Sequence, residues 1–265
     1  MQEPTIDTIP SDVRKEIDSR LDRLFAEESV KPLLVVESGS RAWGFPSPDS
    51  DYDVRFIYLR PRDDYLSLSQ MRDVIERPIV DEIDLNGWDV RKAIGLLLKS
   101  NSVVSEWLES PIRYRDDAPV LTQIRELADA CFNPRGFALH YASLGRTSSE
   151  RWLGGEGEAQ VKKYFYALRP ALAIRCLRRD PSRRPPMNLQ RLVERADIDT
   201  GLQSDIAQLV QLKAVTNEKS NTIRLPDVER LIAEELEAAQ AVEARDLPSD
   251  LPQRAQELFL EMVNQ

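Results

Sequence analysis

Tyr52, Val54, Phe56 and Tyr58 alternate with Asp51, Asp53, Arg55 and Ile57, a period of two that suits a strand with one buried face and not a helix. Upstream, LLVVES at 33–38 is a short apolar run between Pro32 and Gly39, the pattern of a second, buried strand. Between them the chain reads GSRAWGFPSPDS, a short helix-like turn followed by turn formers. The second strand therefore opens on two aspartates at i and i+2. Alternation predicts that Asp51 and Asp53 project from one face, their Cα atoms about 6.5 to 7 Å apart.

Residues 11–27 repeat Val13, Ile17, Leu21 and Leu24 at helical spacing behind Ser11, a residue type that caps helices. A third extended segment, PIVDEIDLNG, precedes a helix starting at about Asp89, with Val90, Ile94, Leu97 and Leu98 on one face. Another helix follows through Val104, Trp107 and Leu108. Asn101 and Glu106 are expected to order the corner between these helices by hydrogen bonds. Beyond Pro111 the alternation gives way to helical patterns at 119–131, 134–145, 158–179, 188–194, 202–215, 226–244 and 249–263. The predicted architecture is α+β: a small mixed β-sheet domain over 1–115, followed by an α-helical C-terminal domain over 116–265. The GGEG stretch at 154–157 lacks the Lys-Ser/Thr of a phosphate loop and reads as a connector.

With 42% apolar residues the chain can bury a proper core. No apolar h-region opens it, and no run of about eighteen apolar residues crosses it. Neither secretion nor a membrane is supported, and the expected location is the cytoplasm. The formal net charge of -9 excludes a surface coated with phosphate-neutralising side chains, so any contact with RNA has to be local. Arg175, Arg178, Arg179, Arg183 and Arg184 cluster where a helix should stop at Asp180-Pro181. They read either as an RNA-binding patch or as a helix end whose arginines complement the dipole. Cys131 and Cys176 have no CxxC or nearby-histidine spacing and fit buried apolar positions. The oligomeric state stays open.

The chemistry sits in the corner between the two strands. Carboxylates spaced as Asp51 and Asp53 are can bracket cations, and magnesium prefers oxygen ligands shared with substrate phosphates. Gly39 lets a backbone approach a ligand closely, and the N–H groups and hydroxyl around Ser40 can bind phosphate oxygens. Arg41 can add charge.

Strand, Gly39-Ser40, turn, and Asp51-Tyr52-Asp53 eleven positions beyond Ser40 together resemble the signature of DNA polymerase beta-type nucleotidyltransferases. The whole stretch GSRAWGFPSPDSDYDVRFIY is similar to the branch called the RNA repair pathway DNA polymerase beta family. The likeness continues through IDLNGWDVRKAIGLLLKSNSVVSEWLESPIRY and KKYFYALRPALAIRCL. It implies a polymerase beta-like catalytic domain using two magnesium ions, with manganese as the substitute, and an NTP donor. It also implies a helical part that contacts nucleotide and acceptor. Members carry a third acid between apolar neighbours on an adjoining strand. Asp84 and Asp89 both match, Asp84 within the strand-like segment and Asp89 where a helix cap is needed. Asp84 is preferred as the third metal ligand and as the base for the attacking hydroxyl.

On the helix VKKYFYALRPALAIRC, Lys162, Tyr166 and Arg169 fall at i, i+4 and i+7. That face can meet a triphosphate and base, or simply water. The expected reaction transfers a nucleotide to a hydroxyl, with an RNA end as acceptor. Two alternatives stay open: NMP transfer to a protein side chain or small molecule, of toxin-antitoxin or antibiotic-modifying type, and an inactive nucleotide-binding regulatory module.

Overall fold

The computed structural model describes residues 4–150, 159–215 and 222–265 of the chain; the GGEG stretch at 154–157 lies outside them. Helix α1 (Ser11–Glu28) ends where Ser29 turns left-handed at φ 52°. There follow β1 (Lys31–Glu37), α2 (Gly39–Trp43), β2 (Tyr52–Leu59), α3 (Arg62–Leu66), β3 (Val74–Glu76) and β4 (Ile83–Asp89). Then come α4 (Val90–Leu98), α5 (Ser102–Leu108), β5 (Arg113–Asp116) and α6 (Ala118–Ala130). The helical stretch comprises α7 (Pro134–Ser149), β6 (Ala159–Gln160), α8 (Val161–Arg179), α9 (Leu189–Ala196) and α10 (Thr200–Val215). It closes with β7 (Thr222–Ile223), α11 (Pro226–Ala238) and α12 (Leu251–Val263).

The sheet runs β3-β4-β2-β1-β5. β2 and β4 are parallel and the other pairs antiparallel, which makes it the small mixed sheet expected. The period of two in β2 is real: Tyr52, Val54, Phe56 and Tyr58 are all buried. Val35, Val54 and Phe56 pack with Ile17, Leu21 and Leu24 of α1. Leu34, Val36 and Ile57 pack on the other side with apolar side chains of α4, α5, α6 and α12. Both faces are covered, so Ile57 is buried as fully as its neighbours. β4 starts at Ile83 rather than at Pro78, because Asp81 and Glu82 both take positive φ, at 51° and 63°, and turn the chain. The edge strands β3 and β5 had no counterpart in the periodicity reading. With three and four residues they are too short to show a period.

Contacts divide the chain into two compact units along lines other than a single cut at 115/116. The sheet unit takes Pro4–Ala42, Asp51–Cys131 and Leu247–Gln265; the helical unit takes Trp43–Ser50 and Phe132–Asp246. Helices α6 and α12 therefore belong with the sheet, where Leu121, Ile124, Leu258 and Met262 enter its core. In the helical unit α8 is buried on almost every side, with Tyr164, Phe165, Leu168 and Leu172 fully enclosed. It stops at Asp180, the residue before Pro181, as a proline-preceding residue favours. Cys131 and Cys176 are free and buried. Asn101 caps α5 by accepting the Val103 N–H at 2.9 Å. Among the described residues no helix is long and apolar enough to cross a membrane.

Candidate active site

β1 ends at Glu37, and Ser38 leads into Gly39, the first residue of α2. The Ser38 N–H donates to the Asp53 carbonyl at 2.8 Å, which ties this corner to the start of β2. Gly39 sits at φ +56°, and a Cβ built there would lie 1.7 Å from Asp53 Oδ2. A side chain here would occupy the space of the carboxylate, so Asp53 keeps this place only against a glycine. Ser40 follows, half-buried. Arg41 folds back on its own strand connection, its Nε donating to the Asp51 carbonyl at 3.2 Å and its guanidinium 3.8 Å above the Tyr52 ring.

Parallel pairing sets Asp53 opposite Asp84. Asp89, the other candidate for the third acid, is buried at the far end of β4. It caps α4 through the Arg91 N–H at 2.8 Å and accepts the Tyr65 hydroxyl at 3.0 Å. Asp53 and Asp84 already share one cation. Arg55 Nη2 lies 2.8 Å from Asp53 Oδ1 and 2.7 Å from Asp84 Oδ2, and Arg55 Nη1 donates to the Asp84 carbonyl at 3.1 Å. The oxygens around this guanidinium nitrogen are of the hard kind that magnesium prefers.

The three-carboxylate cluster expected for two ions is not assembled. Asp51 precedes the first residue of β2 and is exposed, so the sheet does not hold its side chain. Among the described residues no three acidic, histidine or cysteine side chains meet as a metal cluster.

Glu37 was read only as part of an apolar run, yet it is fully buried beside the pair. Its Oε1 accepts the Asp53 N–H at 2.9 Å and its Oε2 accepts the Tyr114 hydroxyl at 2.7 Å. Desolvation pushes its carboxyl up to about 8, and the Asp53 charge acts the same way. The hydrogen bonds from Tyr114 and the Asp53 N–H, and the charge of Arg41, pull it down. A folded pKa above the unfolded value of 4.5 means that the folded chain holds this proton more tightly. The contribution is thus complete below about pH 4.5 and lost as pH rises through about 8. With EDTA present, the melting temperature of the wild type should fall more steeply over that window than that of Glu37→Gln; parallel curves would clear Glu37 of the effect.

In the helical unit, Lys162, Tyr166 and Arg169 do not form one exposed face. Lys162, Lys163 and Tyr166 line a 430 Å³ cavity with Thr147, Ser148 and Gln160. Arg169 is 5% exposed, donates from Nε to the Met187 carbonyl at 3.1 Å and stands 4.4 Å from the Trp43 ring. Tyr166 meets Trp43 edge-on.

The arginine cluster is also engaged. Arg175 and Arg178 grip the two oxygens of buried Glu235 at 3.0 and 2.8 Å, and Arg179 pairs with Asp197 at 2.7 Å.

The chain is 38% identical over 245 residues to the Bacillus subtilis (strain 168) protein named "Uncharacterized protein YcgL", a match covering 90% of this chain and 94% of that one. A solved nucleotidyltransferase-like protein from Exiguobacterium sibiricum 255-15 is similar at 12% identity, over 94% of this chain and 80% of that one, with a TM-score of 0.32. Residues 13–261 match RlaP, the RNA repair pathway DNA polymerase beta family. The chain therefore belongs to that family.

Proposed function

We propose that the chain transfers a nucleotide from an NTP to an acceptor hydroxyl in a magnesium-dependent reaction centred on Asp53 and Asp84. One observation carries the reading: the two carboxylates stand side by side on parallel strands, share a single cation, and abut a corner where a Cβ would collide with the Asp53 carboxylate. Asp53 and Asp84 would hold the divalent ion, and Asp51, two residues before Asp53, is the further acid available to a second one. When bound, such ions neutralise charge on the triphosphate and on the leaving pyrophosphate.

The chain's own contribution is placement and proton transfer. The acceptor oxygen bonds to the α-phosphorus, the bond from that phosphorus to pyrophosphate breaks, and the hydroxyl proton passes to the Asp84 carboxylate. The backbone N–H groups and hydroxyl at Gly39-Ser40 would take triphosphate oxygens. Arg55 has to release the acid pair first, since its guanidinium and a metal ion cannot share one position.

The family description favours an RNA end as acceptor. A protein side chain or small molecule is the second reading, and it is favoured by the ion pairs that occupy Arg175, Arg178 and Arg179. Arg183, which is exposed, is the basic residue of that cluster that could meet RNA. The two acceptor classes separate when the protein receives magnesium and each α-labelled NTP in a cell extract. Label in RNA ends that survives protease and is lost to nuclease supports the first reading. Label lost to protease supports the second. The absence of any covalent label with every NTP would remove the transferase proposal.

A further inference from the structure

At the other end of the same two strands lies a cavity of 450 Å³. It is lined where β2 runs out into Arg60 and β4 ends in Asp89, whereas Asp53 and Asp84 sit at the beginnings of these strands. From Asp84 to Asp89 the strand covers about 16 Å at roughly 3.3 Å per residue. A ligand in this cavity is therefore not the group that reacts at the acid pair.

Four cationic side chains line it, Arg60, Arg72, Arg91 and Lys92, with three acids, Asp64, Asp73 and Asp89. Two of the acids are committed. Asp89 caps α4 and accepts the Tyr65 hydroxyl, and Asp73 accepts Lys92 Nζ at 3.2 Å. Arg72 is paired with Glu76. Arg60 and Arg91 differ: among the described residues neither makes an ion pair with a carboxylate.

Arg60 is 6% exposed. Its guanidinium lies 5.3 Å from the Tyr58 ring, interacts with the Tyr58 hydroxyl, donates a long hydrogen bond of 3.4 Å to the Arg72 carbonyl and feels the charge of Asp89, while its buried Nε has no acceptor. A buried, charged donor without a partner is costly, and an oxyanion in the cavity would relieve that cost. Arg91 is held at the rim by its rings, its guanidinium 4.7 Å from Tyr65 and 5.2 Å from Phe259.

We propose that this cavity binds a phosphate monoester of metabolite size, with the phosphate between the guanidiniums of Arg60 and Arg91. Planar guanidinium forks match phosphate oxygens. Lys92 and Arg72 beside them are already paired with Asp73 and Glu76, which leaves the two guanidiniums as the anion-binding groups. The volume falls within the usual span of small-molecule sites. The site is independent of the transfer reaction, so a chain whose acid pair is disabled by Asp84→Asn should still bind the ligand.

The experiment is isothermal titration of the full chain carrying Asp84→Asn with ribose 5-phosphate, inorganic phosphate and acetate. The first two should bind and acetate should not. Arg91→Ala should weaken ribose 5-phosphate by about tenfold, the loss expected of one charge-assisted contact. Arg14→Ala, an exposed arginine on α1, should leave the affinity unchanged. Arg60→Gln should abolish binding; because Arg60 is buried, the exposed Arg91 variant decides the matter if Arg60→Gln does not fold. Absence of binding to both phosphates, or equal affinities for Arg91→Ala and the Asp84→Asn parent, would overturn the proposal.

Discussion

Asp84→Asn should lower nucleotide transfer by about 10³-fold with an unchanged melting temperature, and Asp89→Ala should do the reverse. Asp84 is partly exposed and its side chain accepts from Arg55 Nη2. An asparagine carbonyl can still accept that N–H, so the fold loses little. The negative charge that attracts a cation and the site that takes a proton both disappear. Asp89 is buried and caps α4. Truncating it removes the cap and leaves the Tyr65 hydroxyl without its acceptor, a loss of about 1 kcal/mol or more, which is roughly 2–4 °C in a chain of this size. Its distance from Asp53 predicts activity close to wild type. Thermal melts and α-label transfer on the two variants check both halves. The opposite order would make Asp89 the third acid.

The second large effect is expected at Gly39. Alanine there has to accept φ +56° and place Cβ 1.7 Å from Asp53 Oδ2 and 2.6 Å from its Cγ. The backbone conformation alone costs about 1 kcal/mol for a residue with a Cβ. The collision cannot be relieved unless the carboxylate leaves its place beside Arg55 and Asp84. A displacement of about 1 Å at reacting groups can cost 10²-fold in rate, and Gly39→Ala should lose at least about that much. Gly95→Ala is the control, because the same change in α4 meets nothing within 4 Å. It should raise stability by about 0.5–1 kcal/mol and leave transfer untouched. Full activity in Gly39→Ala would mean that the glycine corner does not shape the site.

What could be read without coordinates was whatever local chemistry dictates. The period of two in β2 follows from burial of one set of side chains, and the cap at Asp89 from the need of a helix N-terminus for an acceptor. That a third acid belongs on an adjoining strand is implied by the family resemblance, and the strand pattern prefers Asp84 to Asp89 for it; the parallel register sets Asp84 opposite Asp53.

Other features depended on residues distant in sequence. Arg55 was visible as the next side chain on the polar face of β2, but its hold on both acids requires β4 to pair in that register. Glu37 in VVES gives no local sign of a buried carboxyl, since its partner Tyr114 comes 77 residues later on an edge strand too short to show a period. The arginines after α8 look like an open basic patch until α11 brings Glu235 under them. Arg169 shares a helical face with Tyr166 in projection, yet Trp43, from a distant part of the chain, covers it.

Asp53 and Asp84, set against the Gly39 corner, are proposed to move a nucleotide and not a terminal phosphate. Paired incubations of the protein with magnesium and an NTP labelled either on the α- or on the γ-phosphorus test it most directly. The expected result is α-label bound covalently to an acceptor, γ-label released as pyrophosphate, and both signals lost in an Asp53→Asn variant that melts like the wild type. Covalent γ-label, or undiminished α-label in that folded variant, would mean that this acid pair does not transfer nucleotides.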